Sequence, residues 1–143
     1  MKAYRFPLQT LARVRRLREE QARAELSLSV RARREAEAEV ARRRARLAEL
    51  GSAEVETMSD LRGVLGAERL AGAAVGFAAR RQAEASHAER ERRDRWSEAA
   101  MGVAVLERLD DRYRAAHRRE VLANESKVLD ELATRAATGV TGR

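Results

Sequence analysis

The residues best suited to chemistry in this 143-residue chain are two histidines, His87 and His117, thirty positions apart. The chain has no cysteine, no HExxH pattern and no second histidine one helical turn from either. Metal ligation or general acid–base work would therefore rest on a lone imidazole, and a solvated or seam-edge histidine is the expectation. The glycine-rich stretch GVLGAERLAGAAVG (63–76) lacks the Lys-Ser/Thr pair of a phosphate loop and follows no strand. Carboxylates abound but interleave with arginines, as in AERERRDRW (88–96), where helical spacing makes ion pairs on a solvated face. No nucleophile and base converge on a concave site, so the chain reads as a non-enzyme, with no catalytic, cofactor or metal residues and no small-molecule substrate.

Charge leaves a second possibility. The net charge is +7, and residues 1–50 account for all of it, with fourteen Lys and Arg against seven Asp and Glu. An acidic protein surface, a nucleic acid or an anionic membrane could answer that excess. The cluster ARRRAR (41–46) is the best candidate for following phosphates. Against it, Arg42, Arg43 and Arg44 advance 100° each around a helix, Glu35, Glu37 and Glu39 lie just before them, and no aromatic interleaves. A nucleic-acid-binding basic hairpin is thus the runner-up reading, and a membrane-surface helix fares worse for want of a wide apolar face.

The elements that would carry these residues are helices. Charged residues make up 37% and aromatics 3%, and most of the apolar content is Ala, which buries too little area for a thick core. A helix is predicted to start near residues 7–9, because Pro7 loses no hydrogen bond there, and to run without Pro or Gly to Leu50. At 1.5 Å per residue that is a rod of about 65 Å. Its seam runs through Ala22, Leu26, Ser29, Arg33, Ala36, Val40, Arg43, Leu47 and Leu50, alternating spacings of four and three. Nearer the start the stripe is expected to shift to Leu17, Gln21, Ala24 and Leu28. Gly51 is the expected C′ residue and Ser52 the expected N-cap, with Ser59 and Asp60 as later candidates. Residues 51–60 then form the tip and 61–137 a second helix, its continuity least certain over 61–76. That helix carries Trp96, Ala99, Val103, Leu106, Asp110 and Tyr113 at heptad spacing, then Val121, Val128, Leu129 and Leu132. The predicted fold is all-α: one elongated domain, a long antiparallel two-helix coiled-coil hairpin with a frayed tail at 138–143. The longest apolar run, Leu70 to Ala79, falls short of the roughly 20 residues needed to cross a bilayer, and arginines interrupt any leader-like stretch.

The two ends of the chain carry a resemblance. YRFPLQTLARVRRLREEQARAEL (4–26) and LERLDDRYRAAHRREVLANESKVLDELATRAA (106–137) resemble the terminal signatures of the FliJ family of flagellar type III export proteins. That family opens on Phe-x-x-Leu-Gln-x-Leu before an Arg/Glu helix, matched by Phe6, Leu8, Gln9, Leu11, Arg18, Glu19 and Glu20 with one change of spacing at Pro7–Leu8. It closes on Lys-x-Leu-Asp-Glu-Leu-Ala, matched by Lys127, Leu129, Asp130, Glu131, Leu132 and Ala133, and Trp96 stands where members can carry a Trp. The resemblance implies a hairpin similar to the central stalk subunit of rotary ATPases. It implies that the chain promotes assembly of the hexameric export ATPase, occupies its pore, and links it to the cytoplasmic domain of the membrane export gate. Escort of export chaperones, and a cytoplasmic place peripheral to the inner membrane at the flagellar base, are implied as well. Phe6, Leu8, Leu11 and Leu17 at one end and Leu129, Asp130, Glu131 and Leu132 at the other are the expected partner contact. The equivalent stalk of a virulence-type secretion system is a further alternative. The departure is at the tip, where members often place large apolar residues and this chain has mainly Ala and Gly.

Overall fold

A computed structural model describes residues 4–140, with side chains through residue 136. Two helices account for nearly all of it: α1 (Gln9–Gly51) and α2 (Met58–Val140), and no strand occurs among the described residues. Pro7 lies just outside α1, whose start is tied by the Gln9 N–H donating to the Phe6 carbonyl (3.2 Å) and the Ala12 N–H to the Leu8 carbonyl (2.9 Å). Because the first N–H groups of a helix have no partner of their own, a proline here forfeits nothing.

The connection differs from expectation at both edges. Gly51 is the last residue of α1, and no described glycine has a positive φ. The α1 carbonyls are met instead by the Ser52 N–H, shared between Ala48 and Glu49 (3.2 and 3.3 Å), and by the Ala53 N–H on Leu50 (3.2 Å), so no left-handed residue is required. The N-cap of α2 is Thr57, not Ser52 or Ser59. Its Oγ1 accepts the Asp60 N–H (3.1 Å), while Asp60 Oδ2 accepts the Thr57 N–H (3.0 Å). That reciprocal capping box puts Asp60 three residues into the motif, with its charge beside the positive helix end. From there α2 is continuous through all the glycines of 63–76. Of the tail expected over 138–143, residues 138–140 close α2, and 141–143 lie outside the described residues.

The described residues fall into two compact units, one running Arg18–Ala99, the other joining residues up to Leu17 with those from Ala100 onward. In each, α1 and α2 pack against one another in opposite directions. Within Arg18–Ala99 the cross-helix pairs are Glu19 with Trp96, Glu25 with Arg92 and Arg33 with Glu89, so positions rise along one helix as they fall along the other. Fold class is that of an antiparallel two-helix coiled-coil hairpin, as the sequence predicts. Its seam in α1 holds: from Ala22 to Leu50 every expected position is buried or half-buried except Arg43, which is exposed. The expected shift near the start does not occur, since Leu17, Gln21, Ala24 and Leu28 are all exposed. Residues in register with the seam are half-buried there instead, Leu8 and Ala12 in one unit and Glu19 in the other. The apolar core is thin, limited among the described residues to Val40, Ala78 and Leu106.

Candidate partner-binding surface

With so little apolar burial, polar seam residues carry the pairing. AERERRDRW is only partly a solvated face: Glu89 within it is 5% exposed, and Arg92 and Trp96 are half-buried. Glu89 accepts from Arg33 Nε across the seam (2.5 Å) and from Arg93 Nη2 on its own helix (2.5 Å), and Arg33 also pairs with Glu37. Hydrogen bonding from Arg33 leads in holding the Glu89 carboxyl below its usual range, with the Arg33 and Arg93 charges assisting against burial, which pulls the other way. Trp96 Nε1 donates to Glu19 Oε1 (2.7 Å) and Arg92 Nη1 to Glu25 Oε2 (2.5 Å).

In the unit that contains the chain's first described residues, Tyr4 and Phe6 clasp α2. Tyr4 Oη donates to Asp110 Oδ1 (2.6 Å), whose other oxygen accepts from Arg114 Nη2 (2.7 Å). The Tyr4 ring meets His117 edge-on at 5.6 Å, Phe6 meets Tyr113 at 6.0 Å, and the Arg114 guanidinium lies 5.7 Å from the Tyr4 centroid. The Tyr4 hydrogen bond, then Arg114, hold the Asp110 carboxyl below its ordinary value against burial. Burial, then the Asp110 carboxylate, push the Tyr4 phenol up. The sequence reading placed Asp110 and Tyr113 on the seam but missed Tyr4, Arg114 and His117 as their company. The available signal was the spacing 110, 113, 114, 117, one continuous stripe of a helix face.

The residues expected to form a partner contact separate into two kinds. Phe6, against Tyr113 of α2, and Leu8 are half-buried, whereas Leu11 and Leu17 are exposed. Leu129 and Leu132 are 65% and 55% exposed, with Asp130 and Glu131 exposed between them. The structure does not bring the two groups together. Leu129 lies sixteen residues along α2 from Tyr113, the residue that meets Phe6, about 24 Å at helical rise. Val121 is the last half-buried position of α2 among the described side chains, and from Leu122 through Ala136 every residue is exposed. Leu122, Val128, Leu129 and Leu132 therefore form an apolar stripe exposed to solvent among the described residues.

The candidates for other chemistry are spoken for or solvated. Arg42 and Arg43 both bond Glu39, at 2.7 and 2.6 Å, and Arg46 bonds Glu49 at 3.2 Å, so three of the four arginines of ARRRAR are already paired with carboxylates. His87 is exposed beside Glu91 (3.7 Å), and His117 packs on Tyr4. Among the described residues no helix is long and apolar enough to cross a membrane. A family model described as flagellar FliJ protein matches residues 4–140, nearly the whole chain. No curated protein and no solved structure matches it.

Proposed function

The chain belongs to the FliJ family and is thereby a component of flagellar type III export; on that premise we propose that it is the non-enzymatic central stalk of the hexameric export ATPase. It promotes assembly of the hexamer, couples it to the cytoplasmic domain of the export gate, and escorts export chaperones, at the cytoplasmic side of the inner membrane. The observation that carries this reading is an antiparallel hairpin whose α2 continues past Val121 with every residue from Leu122 through Ala136 exposed, four large apolar ones among them. A helix in that condition gains little stability alone and suits insertion into a ring. Leu11, Leu17, Leu129, Asp130, Glu131 and Leu132 supply the contact, while Phe6 and Leu8 anchor the start of α1 that presents it.

The experiment is to mix the purified chain with the hexameric ATPase. Co-elution and a raised hydrolysis rate are expected, and both fall for Leu129→Ala/Leu132→Ala while helicity is unchanged. Absence of both with the unaltered chain would sink the stalk reading.

A further inference from the structure

Within the unit Arg18–Ala99, the first third of α2 spends stability without an internal reason. Gly63, Gly66, Gly72 and Gly76 stand inside a helix, where each costs about 1 kcal/mol relative to Ala. A Cβ built on any of them meets nothing within 4 Å, and none has a positive φ. Gly51 and Gly102, by contrast, do have close neighbours. Nothing among the described residues requires those four positions to be glycine. Alongside them Leu70 is 75% and Phe77 59% exposed, the largest unprotected side chains of this stretch.

Gly63, Gly66, Leu70, Ala73 and Phe77 follow spacings of three, four, three and four, so they share one face, and every one of them is exposed. The face is graded: backbone only at one end, a phenyl ring at the other, Leu70 between. Its flanks are graded too. Asp60 lies three residues before Gly63, with Glu54 and Glu56 preceding it, and Arg80 and Arg81 follow Phe77. Turned end for end, the face fits itself.

We propose that this face is the interface with a second copy of the chain, two α2 segments crossing antiparallel about a two-fold axis near Leu70. Phe77 of each copy lies over Gly63 and Gly66 of the other, where the missing Cβ atoms admit the ring. Leu70 meets its counterpart beside Ala73, and Arg81 faces Asp60. The isologous arrangement makes each complementary contact twice. A parallel arrangement would set Phe77 on Phe77, and Arg80 and Arg81 on their own counterparts. The face is small, so the dimer is a reversible one. The inference is independent of the stalk reading.

The chain has no cysteine, so single-cysteine variants report the geometry directly. On mild oxidation Leu70→Cys forms a disulfide-linked dimer, the pair Gly63→Cys/Phe77→Cys does so as well, and Phe77→Cys alone does not, with Leu122→Cys as an exposed control. Sedimentation velocity over a concentration series shows a monomer–dimer equilibrium that Phe77→Ala weakens at least tenfold. Arg81→Glu weakens it too. Gly66→Leu separates packing from helix stability: it raises the melting midpoint of the dilute protein, having removed a helical glycine, yet weakens the dimer at least tenfold. Monomeric sedimentation at every concentration, with Leu70→Cys linking no faster than the control, overturns the proposal. Linking by Phe77→Cys alone overturns the antiparallel arrangement.

Discussion

Two seam carboxylates of this protein, Glu89 in one compact unit and Asp110 in the other, are held by different means. Glu89 is almost fully buried and is gripped by two guanidinium groups, Arg33 and Arg93. Asp110 is less deeply placed, with about a fifth of its side chain accessible, and is held by a phenol and one guanidinium. The difference follows from solvation. A charge removed from water needs close opposite charge, whereas a half-buried one keeps part of its hydration and is served by a neutral donor. Glu89 and Arg33 therefore define register between α1 and α2 in their unit, since a slip by one residue would strand a buried charge. The Tyr4–Asp110 clasp fastens the beginning of the chain and can open at smaller cost.

The sharpest way to break this comparison is to remove each carboxylate. Glu89→Ala should lower the melting midpoint, read by circular dichroism, more than any other single truncation in the seam, because Arg33 loses its cross-helix partner and keeps only Glu37 on its own helix. Asp110→Ala should lower it less. The double variant Arg33→Leu/Glu89→Leu should melt above Glu89→Ala, since an apolar pair removes the half-buried guanidinium that has lost its cross-helix partner; if the double falls below the single, the ion pair is not a register device. Next in size is Leu106→Ala, which removes the largest buried apolar side chain. A loss of about 2 kcal/mol in denaturant unfolding is expected, the low end for such truncations because the core is thin.

Acid should act on both carboxylates with the same sign. Each has a folded value below its unfolded one, so the stability it contributes is present above the ordinary carboxylate range near pH 4 and is lost as pH falls through the depressed folded values. Tyr4, pushed up in the folded state, contributes stability that is present below about pH 10 and lost as pH rises through its folded value. Melting midpoints across pH should therefore hold steady between those limits, and Tyr4→Phe should move the Asp110 titration, followed by NMR, back toward the ordinary carboxylate value while leaving Glu89 unmoved. The smallest effect belongs to Leu129→Ala/Leu132→Ala. Fold stability should change by no more than about 0.5 kcal/mol for each exposed truncation; a larger loss would mean that this part of α2 is already partnered within the protein.

Much of the architecture was legible because it follows from period. The 3.6-residue repeat of Ala and Leu, with Pro7 before the first turn, predicts two long helices, and the four–three spacing from Ala22 to Leu50 predicts the face that α2 covers. What eluded sequence reasoning were the seam positions filled by polar residues. Glu19, Glu89 and Arg92 look like solvent-facing charge until a partner on the other helix is known, whereas Leu17 and Leu28, apolar by type, are exposed. The cap was missed for a related reason: Thr57 and Asp60 satisfy one another three residues apart, and several serines nearby had equal claim by type alone.

The sequence by itself determined the helices, their antiparallel return, and family membership, because local periodicity and terminal signatures need no knowledge of what lies across the seam. Tertiary structure alone decided which charges are buried. It paired Tyr4 with Asp110 across 106 positions and Arg33 with Glu89 across 56, and left Leu129, Leu132, Leu70 and Phe77 in water. Whether a polar side chain is a cost or an anchor depends on the group that faces it, and in a hairpin that group lies far along the chain.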